Sequence, residues 1–168
     1  MKKHVVVMGV AGCGKSSLGV ALAHAEGVPI VEGDSHHSAS NLAKMSQGIA
    51  LTDADREGWL DILGRELQAH PQGVVLTCSA LKRAYRDRLR QAEPGVRFVF
   101  LEIGREDAMA RVAARAATHF FSSSLVDSQF ATLESPVGEP GVLRVDAVLP
   151  MAQLQAQASA WLNSKEFA

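Results

Sequence analysis

A lysine set between a Gly-x-Gly turn and a serine can hold a chain of phosphates, and Gly9-Val10-Ala11-Gly12-Cys13-Gly14-Lys15-Ser16 has these residues at the spacing G-x-x-x-x-G-K-[ST]. Gly12 and Gly14 can take positive φ and carry no Cβ, so successive backbone N–H groups can curl around a phosphate oxygen. Lys15 adds a mobile positive charge and is the expected catalytic cation of this loop. Ser16 offers a hydroxyl to Mg²⁺ just where the next helix begins, and the positive end of that helix reinforces the anion site. Residues 9–17 are therefore the expected binding segment for a nucleoside triphosphate and its metal.

A second chemical group is Glu32-Gly33-Asp34, two carboxylates delivered together. Ser16, with Glu32 or Asp34 acting through water, is the expected Mg²⁺ site. Asp34 reads either as the general base or orienter of an attacking hydroxyl, or as a helix cap. His36 and His37 are adjacent and badly placed to share one ligand, and the six histidines show no H-E-x-x-H spacing, so a histidine-built metal centre is not expected. Lys82, Arg83, Arg86, Arg88 and Arg90 crowd one segment, in which Lys82 and Arg86 fall one turn apart. That pair could meet an anionic substrate, or the whole run could be a solvated face. Arg111 and Arg115, four apart ahead of the irregular stretch 118–124, suit a mobile lid whose guanidinium groups reach a transferring phosphoryl group, or again a solvated face.

These residues need elements to hold them. The β-branched run 4–8 is a strand of the kind buried on both faces, followed by the loop and a helix over 15–25. A short strand at 29–31 ends in the two carboxylates, at the strand edge where open α/β sheets collect ligands. Helices are expected over 38–45 and 53–69, the second capped by Thr52-Asp53 with Trp59, Ile62, Leu63 and Leu67 on one face. Strands at 74–77, 97–101 and 142–145 alternate with helices at 80–92, 106–116, 125–133 and 151–162. The fold class is α/β, a three-layer domain with a five-stranded parallel sheet flanked by helices, and residues 1–168 read as one domain.

Composition narrows the function. Hydrophobic residues make up 47% and charged residues 21% of the 168, with 17 basic against 18 acidic side chains. This balance gives no general surface for nucleic acid or membrane, and no stretch approaches the roughly 20 apolar residues of a membrane span. Met1-Lys2-Lys3 leads into a strand rather than a signal sequence, and Cys13 and Cys78 have no pairing pattern, so a reducing cytoplasm is the expected compartment. Cys13 reads as a small loop residue, with an oxidation-sensitive thiol as the alternative. No N-K-x-D segment is present to read guanine, and the third strand, VVLTCS, ends without the Asp that large ATPases place near Mg²⁺. A small-molecule kinase remains.

Longer segments carry a resemblance. Glu32-Gly33-Asp34 is followed by His37, Asn41, Lys44-Met45 and Gly48, then by Leu51-Thr52-Asp53-Ala54-Asp55-Arg56 with Trp59-Leu60. Cys78-Ser79-Ala80-Leu81-Lys82 with Tyr85-Arg86-Asp87 comes next, then His119-Phe120-Phe121 and Ser128-Gln129-Phe130-Ala131-Thr132-Leu133-Glu134. In these segments the chain resembles the bacterial-type gluconokinases, small relatives of shikimate and adenylate kinases. The resemblance implies a P-loop fold like that of the nucleoside-monophosphate kinases, with a lid near 116–124 and a homodimer. It implies transfer of the γ-phosphoryl group of ATP to the 6-hydroxyl of D-gluconate in sugar-acid catabolism, with Mg²⁺. By the same resemblance Gly9 to Ser17 hold ATP, Asp34 faces the acceptor hydroxyl, and His37, Arg56, Lys82, Arg86 and His119 are candidates for gluconate. Glu32 stands where the family has Asp, and Arg115-Ala116-Ala117-Thr118-His119 replaces a shorter, Gly- and Lys-containing link in the lid. The alternatives are a related kinase for shikimate or another aldonic acid, and an ATP-binding module whose altered lid has cost it catalysis.

Overall fold

Alternation along β1 (Lys3–Met8) divides the interior in two, because successive side chains of a strand point to opposite faces. Val5 and Val7 join one cluster and Val6 and Met8 the other, all of them buried. In the computed structural model, which describes residues 3–115 and 123–164, β1 is the central strand of a five-stranded sheet. β2 (Ile30–Glu32), β3 (Gly73–Thr77), β4 (Arg97–Glu102) and β5 (Val142–Asp146) complete it in the order β2-β3-β1-β4-β5, every neighbour parallel. The register sets Val7 beside Thr77 and Glu32 beside Thr77, so three carboxyl ends meet along one edge.

Among the described residues, seven α-helices flank the sheet: α1 (Lys15–Glu26), α2 (Ala39–Ser46), α3 (Asp53–Ala69), α4 (Arg83–Ala92), α5 (Arg105–Ala114), α6 (Ser123–Thr132) and α7 (Met151–Leu162). Leu18 and Leu22 of α1, Val112 of α5, Val126 of α6 and Leu154 of α7 pack on the Val5/Val7 face. Leu63 and Leu67 of α3 and Tyr85 and Leu89 of α4 pack on the other. Thr52 and Asp55 form a reciprocal capping box that fixes the start of α3. The Lys44 ammonium, bonded to both carboxylate oxygens of Asp55, and the Thr52 backbone hold that carboxyl down at about 2.

Two expectations of local structure are corrected. Ile62 is 37% exposed and Leu60 is buried in its place, because the inward face of α3 follows Trp59-Leu60, Leu63-Gly64 and Leu67. The basic helix begins at Arg83 rather than at residue 80. Ala80 takes φ +46, a left-handed conformation no helix interior accepts, and Lys82 is the residue before the first helical turn.

Candidate active site

The phosphate loop has the geometry its glycines allow. Gly12 and Gly14 sit at φ +83 and +94, and a Cβ on Gly12 would stand 2.9 Å from the carbonyl oxygen of Ala108 in α5. Arg111 braces the loop from behind: its Nη1 donates to the carbonyls of Gly12 (3.2 Å) and Cys13 (3.4 Å), and its Nη2 to that of Ala147 (3.0 Å). Lys15 Nζ donates to the carbonyls of Gly9 (3.0 Å) and Val10 (3.2 Å), and Ala11 N–H donates to Gln129 Oε1 at 2.6 Å. Cys13 is buried, and burial pushes its thiol pKa up, so the loop cysteine is a neutral space-filler rather than a reactive thiolate. Cys78 is likewise buried and pushed up to about 12.

Beside the loop lies an acidic edge. Ser16 Oγ donates to Glu32 Oε2 at 3.0 Å, and Thr77 Oγ1 donates to the same oxygen at 2.6 Å while accepting from Gly33 N–H at 3.3 Å. Gly33 is obligatory here, since a Cβ would fall 2.2 Å from the Thr77 carbonyl oxygen. The third strand lacks a terminal Asp, and the second strand brings a Glu to Ser16 instead, steered by the Thr that ends β3. The result is an all-oxygen donor set of the kind Mg²⁺ takes.

A 3₁₀ turn over Gly33–His36 then carries Asp34 and His37 into the same cavity. Asp34 is half exposed and its Oδ1 lies 3.9 Å from His37 Nε2; the residue before the turn is Glu32, so Asp34 is not spent as a cap. His37 stacks on Trp59 with ring centroids 4.2 Å apart, and Trp59 Nε1 donates to the Gly33 carbonyl at 2.8 Å. Asn41 Nδ2 donates to the Asp55 carbonyl at 2.8 Å and lies 3.2 Å from His37 Nδ1. A group that donates to a carbonyl is an NH₂, so Nδ1 accepts and the ring proton sits on Nε2, facing Asp34 and the cavity. Burial lowers the His37 pKa and nearby Arg56 lowers it further, against the opposing pull of Asp34, so the ring is a neutral donor.

The cavity has Gly12, Lys15 and Ser16 on one wall and Asp34, His37, Arg56, Trp59 and Ser79 on another, with Arg115 and Gln129 also lining it. Arg56 Nη1 donates to Tyr85 OH at 2.9 Å, and Tyr85 OH in turn donates to Asp53. Lys82 is tied to both oxygens of Asp53, at 3.0 and 3.2 Å, and does not line the cavity. Arg86 is removed from the substrate set. It is fully buried, bonded through Nε and Nη2 to Glu139 at 3.0 and 2.6 Å, and bonded to the carbonyls of Ala80 (2.7 Å) and Glu134 (2.9 Å). Those bonds hold the turn that carries Ser79 into the cavity. His119 and most of the expected lid, residues 116–122, lie outside the described residues.

Sequence reasoning assigned no part in the site to Thr77, Tyr85, Asn41, Trp59 or Gln129. Thr77 had a signal, a hydroxyl at the end of a buried strand neighbouring the first. Gln129 stood only within a segment that carries the resemblance, and nothing local pointed to Ala11, which it reaches from 118 residues away.

Comparisons with known proteins find relatives along most of the chain. A family profile described as an AAA domain matches residues 5–140. The chain is 43% identical over 147 residues to a gluconokinase of Gluconobacter oxydans, covering 85% of this chain and 82% of that protein. It is 38% identical over 156 residues to the thermosensitive gluconokinase of Escherichia coli, covering 90% and 83%. The crystal structure of a gluconokinase from Sinorhizobium meliloti superposes with a TM-score of 0.88 at 47% identity, over 95% of this chain and 91% of that one. An APS kinase from Mycobacterium tuberculosis, at 20% identity and a TM-score of 0.72, shares the fold. With its phosphate loop and its relatives along most of its length, the chain belongs to the gluconokinase family of P-loop kinases.

Proposed function

We propose that the protein transfers the γ-phosphoryl group of ATP to the 6-hydroxyl of D-gluconate, giving 6-phospho-D-gluconate and ADP. The observation that carries this reading is one cavity with the phosphate loop on one wall and Asp34, His37 and Arg56 facing it. Residues 9–17 bind the phosphates, and Lys15 exchanges the loop carbonyls for the phosphoryl oxygens. Ser16, and Glu32 through water, would hold the Mg²⁺ that accompanies the nucleotide, which would supply charge neutralisation at the phosphates. Arg111 keeps the loop amides turned toward the ligand, and Arg115 stands where charge develops on the transferring group.

Asp34 accepts the proton of the attacking hydroxyl and orients it in line with the γ-phosphorus. The Nε2–H of His37 donates to the polyol, and Arg56 holds the carboxylate at the far end. Lys82 and His119 are candidates for gluconate by the family resemblance alone. A cytoplasmic homodimer belongs to the same reading and is checked by sedimentation.

An acceptor panel of gluconate, other aldonic acids and shikimate, in a coupled assay of ADP release, tests the reading. Gluconate is expected to give the highest kcat/KM, and Asp34→Asn is expected to lower kcat by at least about 100-fold with the fold intact. Preference for another acceptor would reassign the substrate. ATP binding without acceptor-dependent ADP would make the chain a nucleotide-binding module.

A further inference from the structure

Ala11 is the third residue of the phosphate loop, and a side chain from a distant helix already occupies its N–H. Gln129 of α6 accepts that hydrogen bond through Oε1 at 2.6 Å. Both residues line the cavity that holds Lys15 and Asp34, so the contact sits between the loop and the acceptor side. The next loop amide but one, Cys13 N–H, is used internally by the Val10 carbonyl at 3.2 Å. Within the loop, Ala11 is therefore where an outside acceptor is installed by the protein itself.

A carboxamide is an unusual choice of acceptor. Half a turn about its last side-chain torsion exchanges C=O for NH₂ with almost no change of shape, so the same group can accept in one state and donate in another. We propose that Gln129 reads the terminal phosphoryl group of the bound nucleotide. Its Oε1 satisfies Ala11 N–H when no phosphoryl oxygen does. When a phosphoryl oxygen takes that N–H, the carboxamide turns over and Nε2–H donates to the incoming oxygen.

The inference rests on residues 9–17 being the triphosphate site. A charged oxygen accepts more strongly than an amide carbonyl, so the exchange is favourable and α6 need not shift. The contact belongs to the terminal group alone, because Gly14, Lys15 and Ser16 at the other end of the loop lie over the start of α1, where the inner phosphates gather. A donor held there also meets the charge that spreads over the phosphoryl oxygens during transfer.

Calorimetry on the full chain with Mg²⁺, using ADP and a non-hydrolysable ATP analogue, tests this in wild type, Gln129→Glu and Gln129→Ala, alongside thermal melting without nucleotide. Glutamate keeps an acceptor for Ala11 but cannot donate. Alanine does neither and adds no charge. The expected result is an affinity for the analogue lowered about tenfold or more by Gln129→Glu and about threefold or more by Gln129→Ala, with ADP within about twofold of wild type in both. Equal losses for ADP and the analogue, or a loss in Gln129→Glu alone, would overturn the proposal, the second outcome being simple charge repulsion. Wild type that binds neither nucleotide would overturn the phosphate-loop reading and the proposal with it.

Discussion

Replacing Thr77 by valine removes one oxygen from the acidic edge and little else. The methyl group that Thr77 packs against Gly19 of α1 is retained, because valine keeps that carbon. Two hydrogen bonds are lost: the donation to Glu32 Oε2 at 2.6 Å and the acceptance from Gly33 N–H at 3.3 Å, both made by a residue only 4% exposed. A hydrogen bond to a charged group contributes about 1.5–3 kcal/mol, and an orphaned buried N–H costs about 1–3 kcal/mol. These terms overlap, so a destabilisation of about 2–4 kcal/mol is expected, a fall in Tm of roughly 5–15 °C for a domain of this size. The functional consequence is separate. Glu32 keeps only Ser16 as a donor, its carboxylate is free to rotate, and the Mg²⁺ concentration for half-maximal activity should rise about three- to tenfold while the KM for gluconate is unchanged. Paramagnetic resonance of Mn²⁺ bound with ADP should show the same weakening without turnover. A variant that melts lower yet keeps wild-type metal dependence in both assays would refute the claim that Thr77 aims Glu32 at the metal.

Arg86→Met breaks a buried ion pair from one side, leaves Glu139 with Arg90 alone and orphans the Ala80 and Glu134 carbonyls, so it should cost about 3 kcal/mol in urea unfolding. In the folded fraction the KM for gluconate should stay within about twofold, against the larger change a substrate contact would produce. For His37 the sign follows from its depressed pKa: between that value and the ordinary one near 6.5 the unfolded chain binds a proton that the buried ring refuses. Its contribution to stability is full above about pH 6.5 and is lost as pH falls below it. His37→Gln should therefore lose less stability than wild type between pH 7.5 and 5.5, and identical losses would refute this.

Elements whose cause is local were legible in the sequence. β1, the loop and α1 follow from a valine run, a glycine turn and a good helical composition, and α7 over Met151–Leu162 falls where its pattern puts it. The failures have a tertiary cause. α4 has the composition to begin at residue 80, but the Arg86 guanidinium holds the Ala80 carbonyl in a left-handed turn, and that bond forms only because Glu134 and Glu139 approach from beyond α6. Asp34 was legible as a strand-end carboxylate, yet the stacking of His37 on Trp59 that builds the wall beside it depends on α3 meeting the 3₁₀ turn.

The basic segment shows most plainly why counting charges misleads. Every one of its five cations has an acid: Lys82 has Asp53, Arg83 has Asp87, Arg86 has Glu139, Arg88 has Asp61, and Arg90 has both Asp87 and Glu139. A substrate carboxylate arriving at Lys82 would have to displace one carboxylate with another, an exchange with little net Coulomb gain. Arg56 differs. Among the described residues its hydrogen-bond partner is the neutral Tyr85 hydroxyl, and its guanidinium carbon stands 5.3 Å from the centre of the Tyr85 ring. Asp53, the acid that shares the Tyr85 hydroxyl with Arg56, is engaged by Tyr85 and Lys82, and the Tyr85 hydroxyl first and Lys82 second hold its carboxyl below the usual range. The arrangement thus uses Tyr85 as a spacer that fixes Arg56 while keeping the acid from neutralising it. An anion entering the cavity thus meets in Arg56 a guanidinium held by a neutral hydroxyl rather than by a carboxylate.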